Sequence, residues 1–263
     1  MTDGDLALGQ HELSTDNRGV EAGVNFAASD STDLGLALSW NTADFALSNG
    51  FGSGASDTIF VALRARTSSD RAYVEGALAY GRSDITTDRT VTIAGVDRFT
   101  ADTTAETIAA HIEAGYHMGR ITSFVGLRAQ SFSTPAYEET TVAGSSSFAL
   151  RHDAYTAQSV RSELGVAMEW TSDRFGRDAA AFGVRASWQH EFASNDPSIR
   201  SFIAVPGVSF PVSGATRDRD SLVLSANATL AARNGISVGA SVDTEFSRNA
   251  QDFGGSLSVS YRW

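Results

Sequence analysis

Strict alternation of apolar and polar residues recurs along most of the chain and restricts it to β-structure. In YVEGALAY, residues 73–80, Val74, Leu78 and Tyr80 fall on one side and Glu75 on the other. This period of two places successive side chains on opposite faces of a strand. The pattern predicts strands at 20–26, 34–40, 59–63, 74–80, 108–118, 125–129, 160–170, 182–188, 222–230, 236–242 and 257–263, with a short opening strand at 5–10. We therefore predict an all-β chain of twelve strands.

The segment TAETIAAHIEAGYHM, residues 104–118, also fits a helix. Ile108, Ile112 and Tyr116 are four residues apart, which suits one face of a helix as well as one face of a strand. Gly115 and the predicted strands on both sides favour a strand.

The predicted connections alternate between short and long. Short turns occur at SDSTD (29–33), TSSDR (67–71), GR (119–120) and RNG (233–235), with a somewhat longer one at TSDRFGRD (171–178). Long connections occur at 48–57, 86–103, 133–155 and 194–220. Short turns on one rim and long loops on the other are typical of an outer-membrane barrel, whose even strand number places both chain ends on the periplasmic side.

The polar face of the predicted strands separates a membrane barrel from a soluble β-sandwich. It consists mostly of Gly, Ala, Ser and Asn, with charges of both signs that suit a narrow water-filled lumen, namely Glu75, Glu113, Arg128, Arg161, Glu163 and Arg185. The apolar face carries aromatic residues suited to the two membrane interfaces, namely Trp40, Tyr80, Tyr116, Trp170, Trp188, Tyr261 and Trp263. We predict one domain over residues 1–263, a transmembrane antiparallel up-and-down β-barrel; a soluble β-protein is the alternative.

Composition excludes several classes of protein. The net charge of −11 argues against nucleic acid as a partner. The absence of cysteine excludes disulfides, thiolate nucleophiles and Cys-based zinc sites. No apolar run approaches the roughly 20 residues of a membrane-spanning helix. No export signal is found at the start of the sequence. Two interpretations stay open: a cytosolic protein, or a fragment whose export signal lies upstream and whose Met1 is an added start.

No motif predicts catalysis or a bound cofactor. GISVG, residues 235–239, fits the nucleophile-elbow pattern, but Ser237 lies within an alternating segment with no helix after it. None of the five histidines has a readable Ser partner, and His111 and His117 are roughly 20 Å apart on a strand, too far to share a metal ion. The acidic clusters YEET (137–140) and RDRD (217–220) are interpreted as solvated loop surface, and TADT and DGD lack a full calcium loop. We predict no catalytic residue, no metal site and no cofactor.

Several segments, in their order and spacing, resemble the autotransporter β-domain, the C-terminal translocator of type V secretion proteins. They are YVEGALAYGRSDITTDR (73–89), AHIEAGYHM (110–118), SFVGLRAQSF (123–132), QSVRSELGVAMEW (158–170), AFGVRASWQHEF (181–192), residues 202–231 and SLSVSYRW (256–263). The resemblance covers nearly the whole chain and is weakest in the first forty residues. It implies a twelve-stranded barrel in the outer membrane of a Gram-negative bacterium, whose pore exports or anchors an N-terminal passenger domain.

The resemblance also implies partners and a C-terminal assembly signal. The barrel assembly machinery reads a last strand that ends on an aromatic residue, here Leu257, Val259, Tyr261 and Trp263, where many members end in Phe. The expected partners are outer-membrane lipid and lipopolysaccharide, this machinery, and the chain's own passenger and linker helix in the pore, around a monomeric barrel. Residues 1–10 are too short to supply that helix, so passenger and linker are expected upstream.

In some branches of the family, lumenal acidic and basic side chains cut the linker, but no cleavage motif matches here. The alternative functions are a passive porin or adhesin-like barrel with ligand-binding loops, and an outer-membrane hydrolase.

Overall fold

The computed structural model describes residues 12–175, 178–194, 196–213, 218–231 and 235–262, and these form an antiparallel β-structure. The long strands are β1 (Leu13–Ser29), β2 (Thr32–Leu47), β3 (Gly52–Ser68), β4 (Ala72–Val91), β5 (Asp97–Met118), β6 (Ile121–Thr134), β10 (Tyr155–Phe175), β11 (Asp178–Glu191), β14 (Asp220–Ala231), β15 (Ile236–Phe246) and β16 (Gln251–Tyr261). Short strands within the connections are β7 (Tyr137–Glu138), β8 (Thr140–Ala143), β9 (Leu150–His152), β12 (Ser198–Phe202) and β13 (Ser209–Val212). Two 3-10 turns lie at Ser48–Gly50 and Ser146–Phe148.

The long strands pair in chain order as a continuous meander from β1 to β16. Ten of the twelve predicted strands lie within them, and the last predicted strand does so as far as Tyr261. The ambiguous segment 104–118 is confirmed as a strand, the larger part of β5. The predicted opening strand at 5–10 lies outside the described residues. Among the described residues, no helix has the length and apolarity that a membrane crossing would need.

The two faces of this sheet have the opposite arrangement to a soluble protein, with the apolar side chains outside and the polar ones inside. Outward side chains are large and apolar and remain exposed, for example Leu63 at 57% and Ile108 at 61%. Many inward side chains are small or polar, and several are buried, for example Ser83, which is 4% exposed, and Ser187, which is 3% exposed. An apolar outer band around a polar interior suits lipid outside and water inside.

The connections at one edge of the sheet, the turn rim, are tight. Gly119 and Arg120 alone join β5 to β6, and the left-handed φ of 69° at Gly119 is one that glycine adopts without strain. The predicted short turns at 29–33, 67–71 and 119–120 lie on this rim.

The opposite edge, the loop rim, differs from expectation at two connections. Residues 86–103 were expected to form a long loop, but β4 and β5 are 20 and 22 residues long and leave only 92–96 as the tip of a projecting hairpin. Residues 48–57 likewise belong mostly to β3.

The other two long connections on the loop rim are confirmed as long, and they are folded. Their strands form a separate four-stranded sheet in the order β13-β12-β9-β7, while β8 pairs with the projecting part of β5. We call this small sheet, with residues 135–154 and the described part of 192–219, the cap.

Candidate functional site

The concave face of the long sheet encloses a polar cavity of about 730 Å³, the lumen. The six charged residues that the alternation assigned to the inner face all line it: Glu75, Glu113, Arg128, Arg161, Glu163 and Arg185. Their strands run from β4 to β11, so charges far apart in sequence meet inside the curl.

Arg185 on β11 is at the centre of the main charge cluster. Its Nη2 donates to Glu113 Oε2 at 2.5 Å and to Glu163 Oε1 at 3.1 Å, and its guanidinium carbon lies 3.4 Å from the centre of the Phe124 ring. The Tyr73 hydroxyl donates to Glu113 Oε1. Glu113, only 6% exposed, therefore has hydrogen bonds at both carboxylate oxygens, which a buried carboxylate requires.

Two further clusters extend this network around the lumen. On β3, Arg64 and Arg66 both reach Glu75 on β4. On β10, Arg161 lies 3.1 Å from Glu191 on β11 and 3.4 Å from Glu245 on β15.

Four charged residues of these two clusters were not among the six predicted lumenal charges: Arg64, Arg66, Glu191 and Glu245. Tyr73 and Phe124 were not predicted either. The alternation already contained the signal for Arg64 and Arg66, because Arg64 directly follows the outward Leu63 in the same register.

Arg128 differs from the other lumenal arginines. It faces Arg161 directly across the β6–β10 pair, and no hydrogen bond or ion pair to it occurs among the described residues. Like charges opposite each other on one face destabilise a sheet pair. Arg128 thus presents an uncompensated positive charge to the lumen.

Three lumenal side chains are placed so that they could hold a metal ion. Ligand atoms of His111, Glu113 and Glu163 lie within 4.8 Å of one another, and His111 Nε2 is buried without a hydrogen bond. The Arg185 guanidinium already bridges the two carboxylates, so it occupies the cation position between them. His117, weighed with His111 in the sequence, instead pairs its Nδ1 with Thr122 at 2.8 Å.

The five aromatics expected at the membrane interfaces, apart from the two in the last strand, are all exposed on the outer face. Tyr116 pairs with Ala72 beside the turn rim, whereas Trp188 lies near the loop-rim end of β11. Tyr80, eight residues after Ala72 on β4, is roughly 26 Å further along the strand, a distance comparable with an apolar band about 25 Å tall. Trp40 and Tyr80 lie within their strands and not at the ends, because β2 and β4 continue beyond the apolar band. The remaining aromatic residue of the five, Trp170, lies on β10.

The outer face of the last strand is fully accessible. Leu257, Val259 and Tyr261 on β16 are 86%, 77% and 60% exposed. Trp263, the last residue of the expected assembly signal, lies outside the described residues.

A buried ion pair attaches the cap to the projecting hairpin. Arg89 on β4 donates from Nε and Nη2 to the two carboxylate oxygens of Glu139, and Nη2 also donates to the Phe148 carbonyl at 2.7 Å. The backbone N–H of Leu150 donates to Glu139 Oε2 at 2.9 Å. Burial alone would raise the pKa of Glu139, but the hydrogen bonds and charge of Arg89, with His152 and Leu150, lower it to about 2.

Glu139 corrects one sequence interpretation. The YEET cluster was taken as solvated loop surface, yet Glu139 is 8% exposed and holds the cap in place. The sequence does not reveal that Glu139 is buried, because its basic partner, Arg89, is 50 residues earlier in the chain.

The nucleophile-elbow pattern has no elbow geometry. Ser237 lies inside strand β15 and pairs with Ser260 of β16, whereas an elbow requires a sharp turn from strand to helix.

Comparison with known proteins places this geometry in a family. A family model described as the autotransporter beta-domain matches residues 2–243. The structure is similar to the translocator domain of autotransporter NalP from Neisseria meningitidis, with a TM-score of 0.75 and 16% identity over 95% of this chain and 82% of that one. It is also similar to the β-domain of the Bordetella autotransporter BrkA, with a TM-score of 0.64 and 18% identity over 95% of this chain and 92% of that one.

A third similar structure is the transport unit of the autotransporter AIDA-I from Escherichia coli, with a TM-score of 0.59 and 10% identity over 97% of this chain and 85% of that one. No curated protein sequence matches the chain. The match of the family model over most of the residues agrees with the barrel architecture, the polar lumen and the apolar outer face. The chain belongs to the autotransporter β-domain family, the outer-membrane translocators of type V secretion in Gram-negative bacteria.

Proposed function

We propose that residues 1–263 act as one translocator domain whose lumen holds the segment that joins the barrel to its passenger. The observation that carries this proposal is the lumenal charge network, in which most charges are paired but Arg128 has no partner among the described residues. Paired charges keep the lumen hydrated without attracting a single sign of charge, while Arg128 offers one strong contact to an acidic or carbonyl group of the segment inside.

The same proposal assigns roles to the outer face. The apolar band and its aromatic residues anchor the chain among outer-membrane lipids, with lipopolysaccharide in the outer leaflet. The barrel assembly machinery reads Leu257, Val259, Tyr261 and Trp263 in the last strand. The barrel acts as a monomer, since lipid covers its apolar outer face and no second copy is needed to cover it.

We further propose that the chain performs no covalent chemistry. Ser237 lies within a regular strand, and the Arg185 cluster is arranged as a structural ion pair with both Glu113 oxygens occupied. Transport is then achieved by the polar lumen and by folding of the barrel in the membrane.

The absence of cysteine allows a direct test of what occupies the lumen. A reporter passenger with a linker is fused ahead of residue 1, and single cysteines replace Ser225, which faces the lumen from β14, or its neighbour Leu224, which faces outward. A charged, membrane-impermeant maleimide labels Ser225→Cys in the bare barrel, and the fused linker protects it. The lipid-facing Leu224→Cys variant stays unlabelled in both forms. Equal labelling of Ser225→Cys with and without the linker would contradict the proposal.

The cap supports a second candidate, a passive barrel that binds ligands at its loops. Together with the loop-rim ends of the strands it encloses a second cavity, which transport of a passenger does not require. Conductance in planar bilayers separates the two candidates: a passive porin shows the same open conductance with and without the fused linker, whereas a translocator is blocked by it.

A further inference from the structure

A row of aromatic and cationic side chains crosses one face of the cap. Tyr137 on β7 is paired in register with His152 on β9, which is paired with Arg200 on β12. Side chains in direct register lie on the same face of a sheet. The Tyr137 and His152 rings stack with their centres 4.3 Å apart.

This row lines a cavity of about 800 Å³, which we call the vestibule. Its other wall is formed by the loop-rim ends of β6, β10 and β11, including Tyr155 and Arg161. The volume lies within the range of about 300–1,000 Å³ typical of ligand sites. Arg161 also lines the lumen, so the two cavities share a wall.

Arg200 makes no ion pair with any described residue, although Glu139 is near enough to attract it. No hydrogen bond or ion pair to it occurs in the part of the chain that the structure describes, and its Nε is buried with no partner. Burial lowers the pKa of Arg200, as expected for a guanidinium removed from water. His152 Nε2 is also buried without a hydrogen bond, 3.6 Å from Glu139 Oε1. Arg200 is half-buried, and a guanidinium removed from water is normally paired, so this arrangement is incomplete.

The carboxylates nearby are already engaged or do not reach Arg200. Glu139 receives both donor atoms of Arg89, which leaves two guanidinium groups near one carboxylate. In the vestibule wall, Glu191 accepts hydrogen bonds from Ser159 and Arg161. The remaining acidic lining residues form no ion pair with Arg200; they are Asp153, Asp196 and Asp218.

We propose that the vestibule binds a carboxylate group, which Arg200 holds through paired hydrogen bonds, with Tyr137 and His152 packed beside it. A planar guanidinium matches a carboxylate in this geometry, and the aromatic rings exclude water from the contact. Such a group can come from an acidic side chain of a peptide that leaves the pore, or from a free organic acid that enters from outside.

Two pairs of probes test this site on the full chain folded in detergent micelles. The first pair is a pentapeptide with blocked ends and one central glutamate, and the same peptide with glutamine. The second pair is glucuronate and glucose. We expect at least one carboxylate probe to bind at least ten times more tightly than its neutral counterpart in calorimetric titration.

Matched variants locate the site. Arg200→Gln is expected to lose this preference, whereas Arg151→Gln is not, because exposed Arg151 on β9 pairs with Glu138 and carries the same charge change within the cap. In the unmodified chain, the side-chain Nε–H resonance of Arg200, assigned by comparison with Arg200→Lys, is expected to shift with the carboxylate probe alone. This measurement decides the question even if Arg200→Gln does not fold.

The outcomes separate the sources of the ligand. Preference for the glutamate peptide alone identifies a segment in transit, preference for glucuronate alone identifies an external acid, and preference for both identifies a general carboxylate site. Equal binding of charged and neutral probes overturns the proposal, as does a resonance shift confined to other arginines. The test needs no passenger, so its result is independent of the labelling test of the lumen.

Discussion

Phe124 on β6 lies directly over Gly165 on β10, its partner in register, and a Cβ at residue 165 would overlap with Phe124 Cζ. The same phenyl ring carries the Arg185 guanidinium on its inner face. Three more inward aromatics cover a glycine on the paired strand: Phe45 over Gly54, Phe60 over Gly81, and Tyr73 over Gly115. The missing side chain makes room for each ring to lie flat against the barrel wall, so that the lumen stays open.

Replacement of Gly165 by alanine is therefore expected to lower the free energy of unfolding by about 1–3 kcal/mol, the usual range for overpacking. The Phe124 ring and the Ala186 carbonyl, at 2.6 Å from the added Cβ, would both have to move. Gly76→Ala is the matched control, because its nearest neighbouring atom is 3.7 Å away. Denaturant unfolding in lipid vesicles measures both, and equal effects would show that the ring does not depend on the glycine.

The second prediction concerns the ion pair beside that ring. Arg185→Gln leaves Glu113 buried with only Tyr73 as a hydrogen-bond donor, so we expect a loss of about 3 kcal/mol in the free energy of unfolding. Glu163→Gln should cost less, since Arg185 keeps its contact with Glu113. The Arg185→Gln/Glu113→Gln double variant should recover part of the loss because Glu113 no longer carries an unpaired buried charge. If the free-energy losses of Arg185→Gln and Glu113→Gln, each measured alone, add up to the loss of the double variant, the two side chains are not directly coupled.

These two relationships also show what the sequence could and could not predict. Alternation assigns Glu113 and Arg185 to the inner face, because lipid tolerates no such charge on the outer one, and in the structure both line the lumen. It does not predict that they meet, since this depends on the register and curl of four strands. The Phe124–Gly165 contact depends on register in the same way.

The projecting hairpin was missed for a different reason. Beyond the membrane, both faces of β4 and β5 contact water or the cap, so Thr86, Asp88 and Thr90 replace the outward apolar row and the period of two disappears. Glu139 was missed because its identity as a buried residue depends on Arg89, which is distant in the sequence.

The third prediction concerns the Arg89–Glu139 pair that holds the cap. The pKa of Glu139 is about 2 in the folded chain and lies below its ordinary value of 4.5, so its contribution to stability is complete above pH 4.5 and is lost as the pH falls towards 2. We expect the Leu150 amide, which donates to Glu139, to exchange slowly at pH 5–7. Pepsin should cut the cap at pH 2 but not at pH 4.5.

Glu139→Gln removes this pH dependence, and we expect it to make the Leu150 amide exchange at least tenfold faster at pH 7. The neighbouring Glu138→Gln is the control, because Glu138 is half exposed and its ion pair is with exposed Arg151, a contact of little value. If Glu138→Gln accelerates exchange as much as Glu139→Gln, the cap is not held by the buried pair.

The last prediction separates assembly from stability at the C-terminal strand. Tyr261 faces outward on β16, opposite Ile236 in register, whereas Ser260 beside it faces inward. If the assembly machinery reads the outward aromatic residue, Tyr261→Ala should slow insertion into vesicles that contain the machinery by at least fivefold. Spontaneous folding into detergent, which needs no recognition, should change less than twofold. Ser260→Ala should leave both rates unchanged. Folded barrel is measured as the compact, heat-sensitive band on a gel, and parallel slowing in vesicles and detergent would assign Tyr261 to barrel packing instead of recognition.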